Sequence, residues 1–131
     1  MSAQFNPGAV EDNNHPIPRL DTLDVHVETN KGAYVAIVIG SPLKNDEVSR
    51  ARLQAKVEVS LGYFRSAEYR EKNGEPSHDR SHILFKVHCD SDAEMLRLID
   101  HYREQIEAND VSTKVSSYVP SNTSLERTRG R

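Results

Sequence analysis

The stretch "AYVAIVIG", from Ala33 to Gly40, is apolar at nearly every position. A strand with one solvent-exposed face alternates apolar and polar residues, whereas a strand that is covered on both faces is apolar throughout. We therefore interpret this stretch as the central strand of a sheet. Pro42 follows closely and ends the strand, because proline has no amide hydrogen to donate to a neighbouring strand.

Three further strands are predicted from alternating apolar and polar residues. In "LDVHVET", which begins at Leu23, the apolar residues Leu23, Val25 and Val27 share one side and His26 lies on the other. The sequence "NKG" follows it and predicts a hairpin to the central strand. Two later stretches alternate in the same way: "SHILFKVHC", from residue 81, and "VSTKVSSYV", from residue 111.

Two helices are predicted between these strands. The first runs from about Asn45 to Glu68 with Asp46 as its N-cap, and one apolar stripe defines it: Leu53, Val57, Leu61 and Phe64. Gly62 lies inside this helix, where we expect a close approach to the sheet. A polar loop, "REKNGEPSHDR", follows at residues 70–80. The second helix begins at Ser91, which forms a capping box with Glu94, and its stripe is Met95, Ile99, Tyr102 and Ile106.

The element order ββαβαβ predicts an α/β fold, a two-layer sandwich of a mixed four-stranded sheet with two helices packed on it. Strands joined through a helix are expected to be parallel. Residues 21–120 form the single domain. A flexible N-terminal arm is expected at residues 1–20 and a flexible basic tail at residues 121–131, because neither end shows apolar periodicity.

The composition limits the classes of function. The chain has 131 residues, a net charge of -3 and one cysteine, so it cannot form an internal disulfide and fits a reducing compartment. No apolar run approaches the ~20 residues that a membrane span needs, and no signal peptide opens the chain. We expect a cytoplasmic protein that binds neither membrane nor nucleic acid, since nucleic-acid binding needs a basic surface.

The stretch "SHDRSHILFKVHCD", from residue 77 to residue 90, gathers three histidines, two aspartates and the cysteine. On a strand, His82 and His88 lie about 20 Å apart and cannot bind one ion together. Cys89 precedes a helix, but Asp90 and Asp92 beside it disfavour a thiolate. We expect a small residue packed at a strand end, and we predict no metal site, no catalytic residue and no cofactor.

The sheet face away from the helices is the remaining candidate surface. Two helices cover one face, whereas the central strand has apolar residues for both. An uncovered face of mixed polarity is typical of a dimer or partner surface. The candidate ligand or interface residues on it are His26, Tyr34, Ala36, Val38, Lys86, His88 and Tyr118.

The sequence favours a small protein without catalytic activity that acts through protein contact, as a homodimer or with an unknown protein partner. Whether it is an enzyme stays open, with the balance against it. The alternative is a small-ligand-binding protein or enzyme whose pocket lies on the same face, near His26, His88 and Tyr118. A concave cavity with converging polar groups would favour the alternative, and a flat, partly apolar face would favour contact.

"LQAKVEVSLGYFRSAEY", from residue 53, resembles the first helix of a family of small bacterial hypothetical proteins that share the ββαβαβ layout. The matching residues are Leu53, Gln54, Lys56, Leu61, Phe64 and Ser66, with Ala67 where the family tends to have glycine. "ILFKV" and "LIDHYREQIEAND" are also similar, and the resemblance covers roughly residues 10–119. It implies the fold and supplies no active site, since the family is a domain of unknown function. The tail "NTSLERTRGR" resembles readthrough into the recombination site of a mobile integron gene cassette.

Overall fold

A computed structural model of the chain describes residues 8–119. Its strands are β1 (Val25–Thr29), β2 (Gly32–Ile39), β3 (Ser81–His88) and β4 (Ser112–Tyr118), and its helices are α1 (Glu47–Arg65), α2 (Ala67–Asn73) and α3 (Ala93–Glu107). The predicted α/β fold with a four-stranded mixed sheet is confirmed, with three helices where the sequence predicts two. Within residues 8–119 no helix is both long and apolar enough to cross a membrane.

The strands lie in the order β1-β2-β3-β4. β1 is antiparallel to β2, and the pairs β2–β3 and β3–β4 are parallel as predicted. Crossovers between parallel strands are right-handed. Because both crossovers step in the same direction along the sheet, they place α1, α2 and α3 on the same face. The opposite face carries no helix in the part of the chain that the structure describes, and we call it the open face.

The core lies between the helices and the covered face of the sheet. The predicted stripe of α1 is fully buried, and so are three of the four stripe residues of α3, with Tyr102 packed against them at the margin. Opposite them are the covered-face residues of the two central strands: Val35, Ile37, Ile39, Ile83, Phe85 and Val87. The side chains are almost all aliphatic, as a chain without tryptophan requires.

Of the two predicted helix N-caps, one is confirmed and the other was wrong. The Asp46 carboxylate accepts a hydrogen bond from the Ser49 amide at 2.8 Å and caps α1 as predicted. At α3 the cap is Asp92, which accepts from the Glu94 amide at 3.0 Å. Ser91 does not form the predicted capping box, because its hydroxyl instead accepts from the Leu43 amide.

The single helix predicted over residues 45–68 is divided in two. Ser66 has an extended backbone, and its hydroxyl accepts from the Tyr69 amide, so the chain stops α1 and starts α2 at one residue. Tyr69 is fully buried and its hydroxyl lies 2.7 Å from that of Ser81, which anchors α2 to the start of β3. Residues 70–73, predicted as loop, are therefore helical.

The N-terminal segment, residues 8–24, packs on α1, and the expectation of an arm separate from the domain is wrong for its described part. Ile17 and Leu20 are buried in the core. The Arg52 side chain is 0% exposed and donates hydrogen bonds to backbone carbonyls of this segment. Lys56 is also 0% exposed and pairs with Asp24 at 2.8 Å. Residues 1–7 and the tail predicted at 121–131 lie outside the described residues.

Candidate functional site

The strand register arranges the side chains of the open face in four rows across the sheet. The first row is Val27, Tyr34, His82 and Ser112, and the second is Val25, Ala36, Leu84 and Lys114. The third row is Val38, Lys86 and Ser116, and the fourth is His88 and Tyr118. Apolar side chains therefore lie towards β1, and polar and basic ones lie towards β4.

Six of the seven predicted site residues lie on the open face: Tyr34, Ala36, Val38, Lys86, His88 and Tyr118. The placement of His26 there was wrong. His26 pairs with Val35, whose side chain is in the core, so His26 points to the helix side and Val25 and Val27 face the open side. Alternation groups residues correctly on two sides of a strand, but it does not tell which side the helices cover.

His26 instead belongs to a hydrogen-bonded cluster at the edge of the sheet. The Tyr63 hydroxyl of α1 donates to the Glu28 carboxylate at 2.6 Å, and the His26 Nε2 lies 2.6 Å from the same hydroxyl. Burial and the hydrogen bond to Glu28 raise the pKa of Tyr63 well above its ordinary value. The hydrogen bond from Tyr63, with help from Lys72, lowers the pKa of Glu28. Tyr63 therefore stays a neutral phenol that ties β1 to α1.

A depression of about 330 Å³ lies on the open face over the first two rows. One apolar side chain, Leu84, lines it together with a phenol, an imidazole, a hydroxyl and an ammonium group, from Tyr34, His82, Ser112 and Lys114. Its volume is at the lower end of the range for small-molecule sites. It lies at the opposite end of the face from His88 and Tyr118, where the sequence placed the alternative pocket.

His82 and Ser112 form a hydrogen-bonded pair in this depression. The His82 Nδ1 lies 2.6 Å from the Ser112 Oγ, and its Nε2 lies 3.2 Å from the Asp79 carbonyl oxygen. A carbonyl oxygen only accepts, so in the neutral imidazole Nε2 carries the proton and Nδ1 accepts from the serine hydroxyl. The sequence contains no signal for this pair, because its two members are 30 residues apart and meet only through the register of β3 with β4.

A wider groove of about 550 Å³ lies between the N-terminal segment and the end of β2. Its principal polar groups already have partners inside the protein. Asp24 pairs with Lys56 and also accepts from the Val38 amide, and the His15 Nδ1 accepts from the Ile17 amide. We take the depression at His82 as the candidate site because Lys114 and no carboxylate line it, whereas Asp24 lines the groove.

At the end of β3, His88, Cys89 and Asp90 bring one nitrogen, one sulfur and one oxygen within 4.8 Å of one another. These are consecutive residues in a turn, and the His88 Nδ1 already accepts a hydrogen bond from the Asp90 amide. Cys89 is exposed, so the interpretation of a small residue packed at a strand end is wrong. A peptide turn brings neighbouring side chains together with or without an ion.

The charges of the open face have a single sign. Lys86 and Lys114 lie on it with His82 and His88, whereas no described strand residue on this face is Asp or Glu, although the chain has 20 of them. Carboxylates concentrate on the helices and loops instead. A surface of this kind attracts anions even though the whole chain is mildly acidic.

Comparisons of this chain with protein-family models, curated proteins and solved structures give no match. The resemblance to the small bacterial hypothetical proteins and to integron cassette products therefore stays a prediction. The function has to be argued from the geometry of the open face.

Proposed function

We propose that this protein binds a small organic anion in the depression lined by Tyr34, His82, Leu84, Ser112 and Lys114. The observation that carries the proposal is that Lys114, His82, Ser112 and Tyr34 line one depression whose sheet face holds no carboxylate in the described strands. Leu84 and the Tyr34 ring offer apolar contact beside these polar groups. A ligand with one anionic group and a small apolar body fits this chemistry.

The size of the depression limits the affinity. A site of about 330 Å³ takes a ligand of roughly ten non-hydrogen atoms, each contributing about 0.5 kcal/mol within the range seen for small ligands. That sum corresponds to a Kd on the order of 0.1 mM. We propose the cytoplasm as the location, because Cys89 is an exposed free thiol and reducing compartments preserve such thiols.

Calorimetry with benzoate, phenyl phosphate and the neutral benzamide tests the proposal. We expect the anions to bind and benzamide to bind at least tenfold more weakly, because it lacks the charge that Lys114 attracts. Lys114→Met should weaken anion binding about tenfold, which corresponds to ~1.4 kcal/mol. Lys44→Met is the matched control, since Lys44 is an exposed lysine remote from this depression. Equal binding of benzamide, or an equal effect of both substitutions, would contradict the proposal.

Contact between two copies of the open face is the second candidate function. The observation that favours it is the exposure of Val25 and Tyr34, at 41% and 37%, on this face. However, four strands of about seven residues cover roughly 19 by 23 Å, or about 440 Å², which is close to half of the ~800 Å² per partner in a stable complex. The like charges of Lys86 and Lys114 on the two copies also oppose contact. We therefore rank this candidate below anion binding.

Sedimentation velocity over a range of protein concentrations tests the second candidate. If two copies meet through this face, the wild type should show a concentration-dependent dimer. Val38→Lys, which adds a charge to the centre of the face, should then give monomers. A wild type that stays monomeric at every concentration would rule the dimer out.

A further inference from the structure

We infer that Ser112 is a nucleophile activated by His82 and that the depression hydrolyses small esters which carry an anionic group. The inference rests on the proposed function, because the same depression has to bind the substrate. It adds a reaction class to that site. Three features of the structure carry it: the direction of the hydrogen bond, the access to the hydroxyl and the position of Lys114.

The direction of the hydrogen bond is the one that nucleophile activation requires. The Ser112 hydroxyl points its proton at the His82 Nδ1 over 2.6 Å, within the range for a nucleophile and its general base. The base is oriented in turn, because its Nε2–H donates to the Asp79 carbonyl at 3.2 Å. A backbone carbonyl thus takes the place that a carboxylate has in many hydrolase triads.

A second histidine–serine pair in the chain shows the contrast. The His15 Nε2 lies 3.0 Å from the Ser49 Oγ. Because the His15 Nδ1 accepts from the Ile17 amide, Nε2 must carry the proton and donate to Ser49. Ser49 is also 2% exposed, whereas Ser112 is only half-buried and lines the depression. Only the Ser112 pair therefore combines an activated hydroxyl with access for a substrate.

Lys114 supplies the charge that holds the substrate. It lies two residues after Ser112 on the same face of β4, which is about 6.6 Å along the strand, and it lines the same depression. An ester whose anionic group pairs with this ammonium places its acyl carbon near the serine hydroxyl. Tyr34 lines the site as well, and its phenol would be the hydrogen-bond donor to the developing oxyanion.

The reaction follows the usual course of acyl transfer. The Ser112 Oγ attacks the acyl carbon while its proton moves to the His82 Nδ1, and the carbonyl electron pair moves onto the oxygen. When the carbonyl re-forms, the ester C–O bond breaks and the leaving alcohol takes the proton from Nδ1. A water molecule then attacks the acyl-serine by the same steps. The net change is ester plus water to acid plus alcohol.

Labelling with a fluorophosphonate, followed by peptide mass analysis, tests the inference on the full chain. We expect one label per molecule on Ser112 and a burst of 4-hydroxybenzoate from 4-acetoxybenzoate, an ester that carries an anionic group. His82→Gln should slow labelling by about 100-fold, at the lower end of the contribution of a general base. Ser116→Ala is the matched control, because Ser116 is an exposed serine on the same face of β4 whose neighbour on β3 is Lys86 and not a histidine. It should label like the wild type.

Benzoate binding to the wild type and far-ultraviolet circular dichroism of every variant separate the possible failures. If the wild type binds benzoate but takes no label, or if Ser112→Ala is still labelled, the inference is wrong and the proposed function stands. If the wild type neither binds an anion nor takes a label, both are wrong. A wild type that binds benzoate and takes the label, together with a Ser112→Ala that folds but is not labelled, supports both.

Discussion

Arg52 and Lys56 are two cations of α1 whose side chains are completely buried, and both serve the N-terminal segment. This segment has an irregular backbone, so most of its carbonyl groups have no strand or helix partner. The Arg52 guanidinium reaches the carbonyls of Ala9, Ile17 and Pro18. Lys56 reaches that of Arg19 and pairs with Asp24. Two side chains thus provide the hydrogen bonds that secondary structure would otherwise supply.

Arg52→Met should destabilise the protein by about 3 kcal/mol. The methionine retains most of the apolar stem but removes the hydrogen bonds to the Ile17 and Ala9 carbonyls, and hydrogen bonds to charged groups are worth about 1.5–3 kcal/mol each. Urea unfolding measures the change. Arg97→Met is the control: Arg97 is a largely exposed partner of Glu94, and its loss should cost less than about 0.5 kcal/mol. Equal effects of the two substitutions would contradict the role assigned to Arg52.

His15 should make the stability of the protein depend on pH. Burial lowers its pKa, and the charge of Arg52 lowers it further, so the unfolded chain takes up this proton more readily than the folded one. The contribution of His15 to the free energy of unfolding is then complete above about pH 6.5. It is lost as the pH falls through about 6.5 towards the lower folded-state pKa. The pKa values of Glu28 and Asp46 are lowered too, but these carboxyl groups act only below about pH 4.5.

Urea midpoints at about pH 7.5 and about pH 5.5 test this dependence. His15→Asn should reduce the difference between the two midpoints, because the asparagine carbonyl can still accept from the Ile17 amide and has no proton to gain. His101→Asn serves as the control, since His101 is exposed on α3. The same difference in wild type and His15→Asn would show that another group is responsible.

At the residue scale, the burial of these two cations could not be predicted from the sequence. A lysine and an arginine four positions apart on a helix usually lie on its solvent-exposed face. Their partners are backbone carbonyls of an irregular segment, which no periodicity marks. Lys56 is one of the residues on which the resemblance to the small bacterial proteins rests, but that resemblance assigned no structural role to it.

At the scale of elements, α1 is buried on two sides. Its apolar stripe packs on the sheet, and a second arc of polar residues packs under the N-terminal segment: Ser49, Arg52, Lys56 and Ser60. The remaining surface of the helix is exposed, and Gly62 lies on it with no atom within 4 Å of the position that a Cβ would occupy. The expected close approach of Gly62 to the sheet was therefore wrong.

Two Gly→Ala substitutions should have opposite effects. Gly62→Ala should stabilise the protein by about 1 kcal/mol, because alanine is the better helix former and no clash results. Gly32→Ala should destabilise it severely, since φ is +125° there and the added Cβ would lie 2.2 Å from the Arg80 carbonyl oxygen. Thermal melting of both variants measures the two shifts. A destabilised Gly62→Ala would mean that α1 has a neighbour on this side.

Periodicity predicted most elements because each buries one regular face. It missed α2, a helix of seven residues that is held by the distant contact of Tyr69 with Ser81. It also assigned the wrong side of β1 to the helices. On an edge strand the polar residues His26 and Glu28 meet a polar part of α1, so the ordinary rule of apolar residues facing inward is reversed.

At the scale of the whole molecule, the N-terminal segment is part of the domain. A chain that begins at residue 21 should fail to fold. It loses Ile17 and Leu20, each worth about 1.5–3 kcal/mol of burial, and the hydrogen bonds that Arg52 donates to this segment, each worth about 1.5–3 kcal/mol. The sum approaches the whole stability of a small domain, about 5–15 kcal/mol.

Circular dichroism and urea unfolding of the shortened chain check this expectation. The control lacks residues 121–131, a deletion that the sequence predicts to be neutral. If the free energy of unfolding of the chain without residues 1–20 lies within about 2 kcal/mol of that of the full chain, the segment contributes far less than its contacts indicate.

The open face could be predicted from the sequence, but the depression on it could not. The excess of apolar residues in β2 over what two helices can cover pointed to a second surface, and six of its residues were identified. Ser112 and His82 were not paired, because strand order and register are needed to place them side by side. The net charge taken from the sequence is a sum over the whole chain, whereas the fold separates the lysines of one sheet face from the carboxylates.

The strands lie in the sheet in the same order as in the chain, and this has a consequence for biosynthesis. Each new strand pairs with one that has already left the ribosome, so the sheet can grow one strand at a time as the chain emerges at about 5–20 residues per second. β4 is added last, and it brings Ser112 and Lys114. A partly synthesised chain can therefore bury most of its core while it still lacks the depression, and the site becomes complete only when the final strand docks.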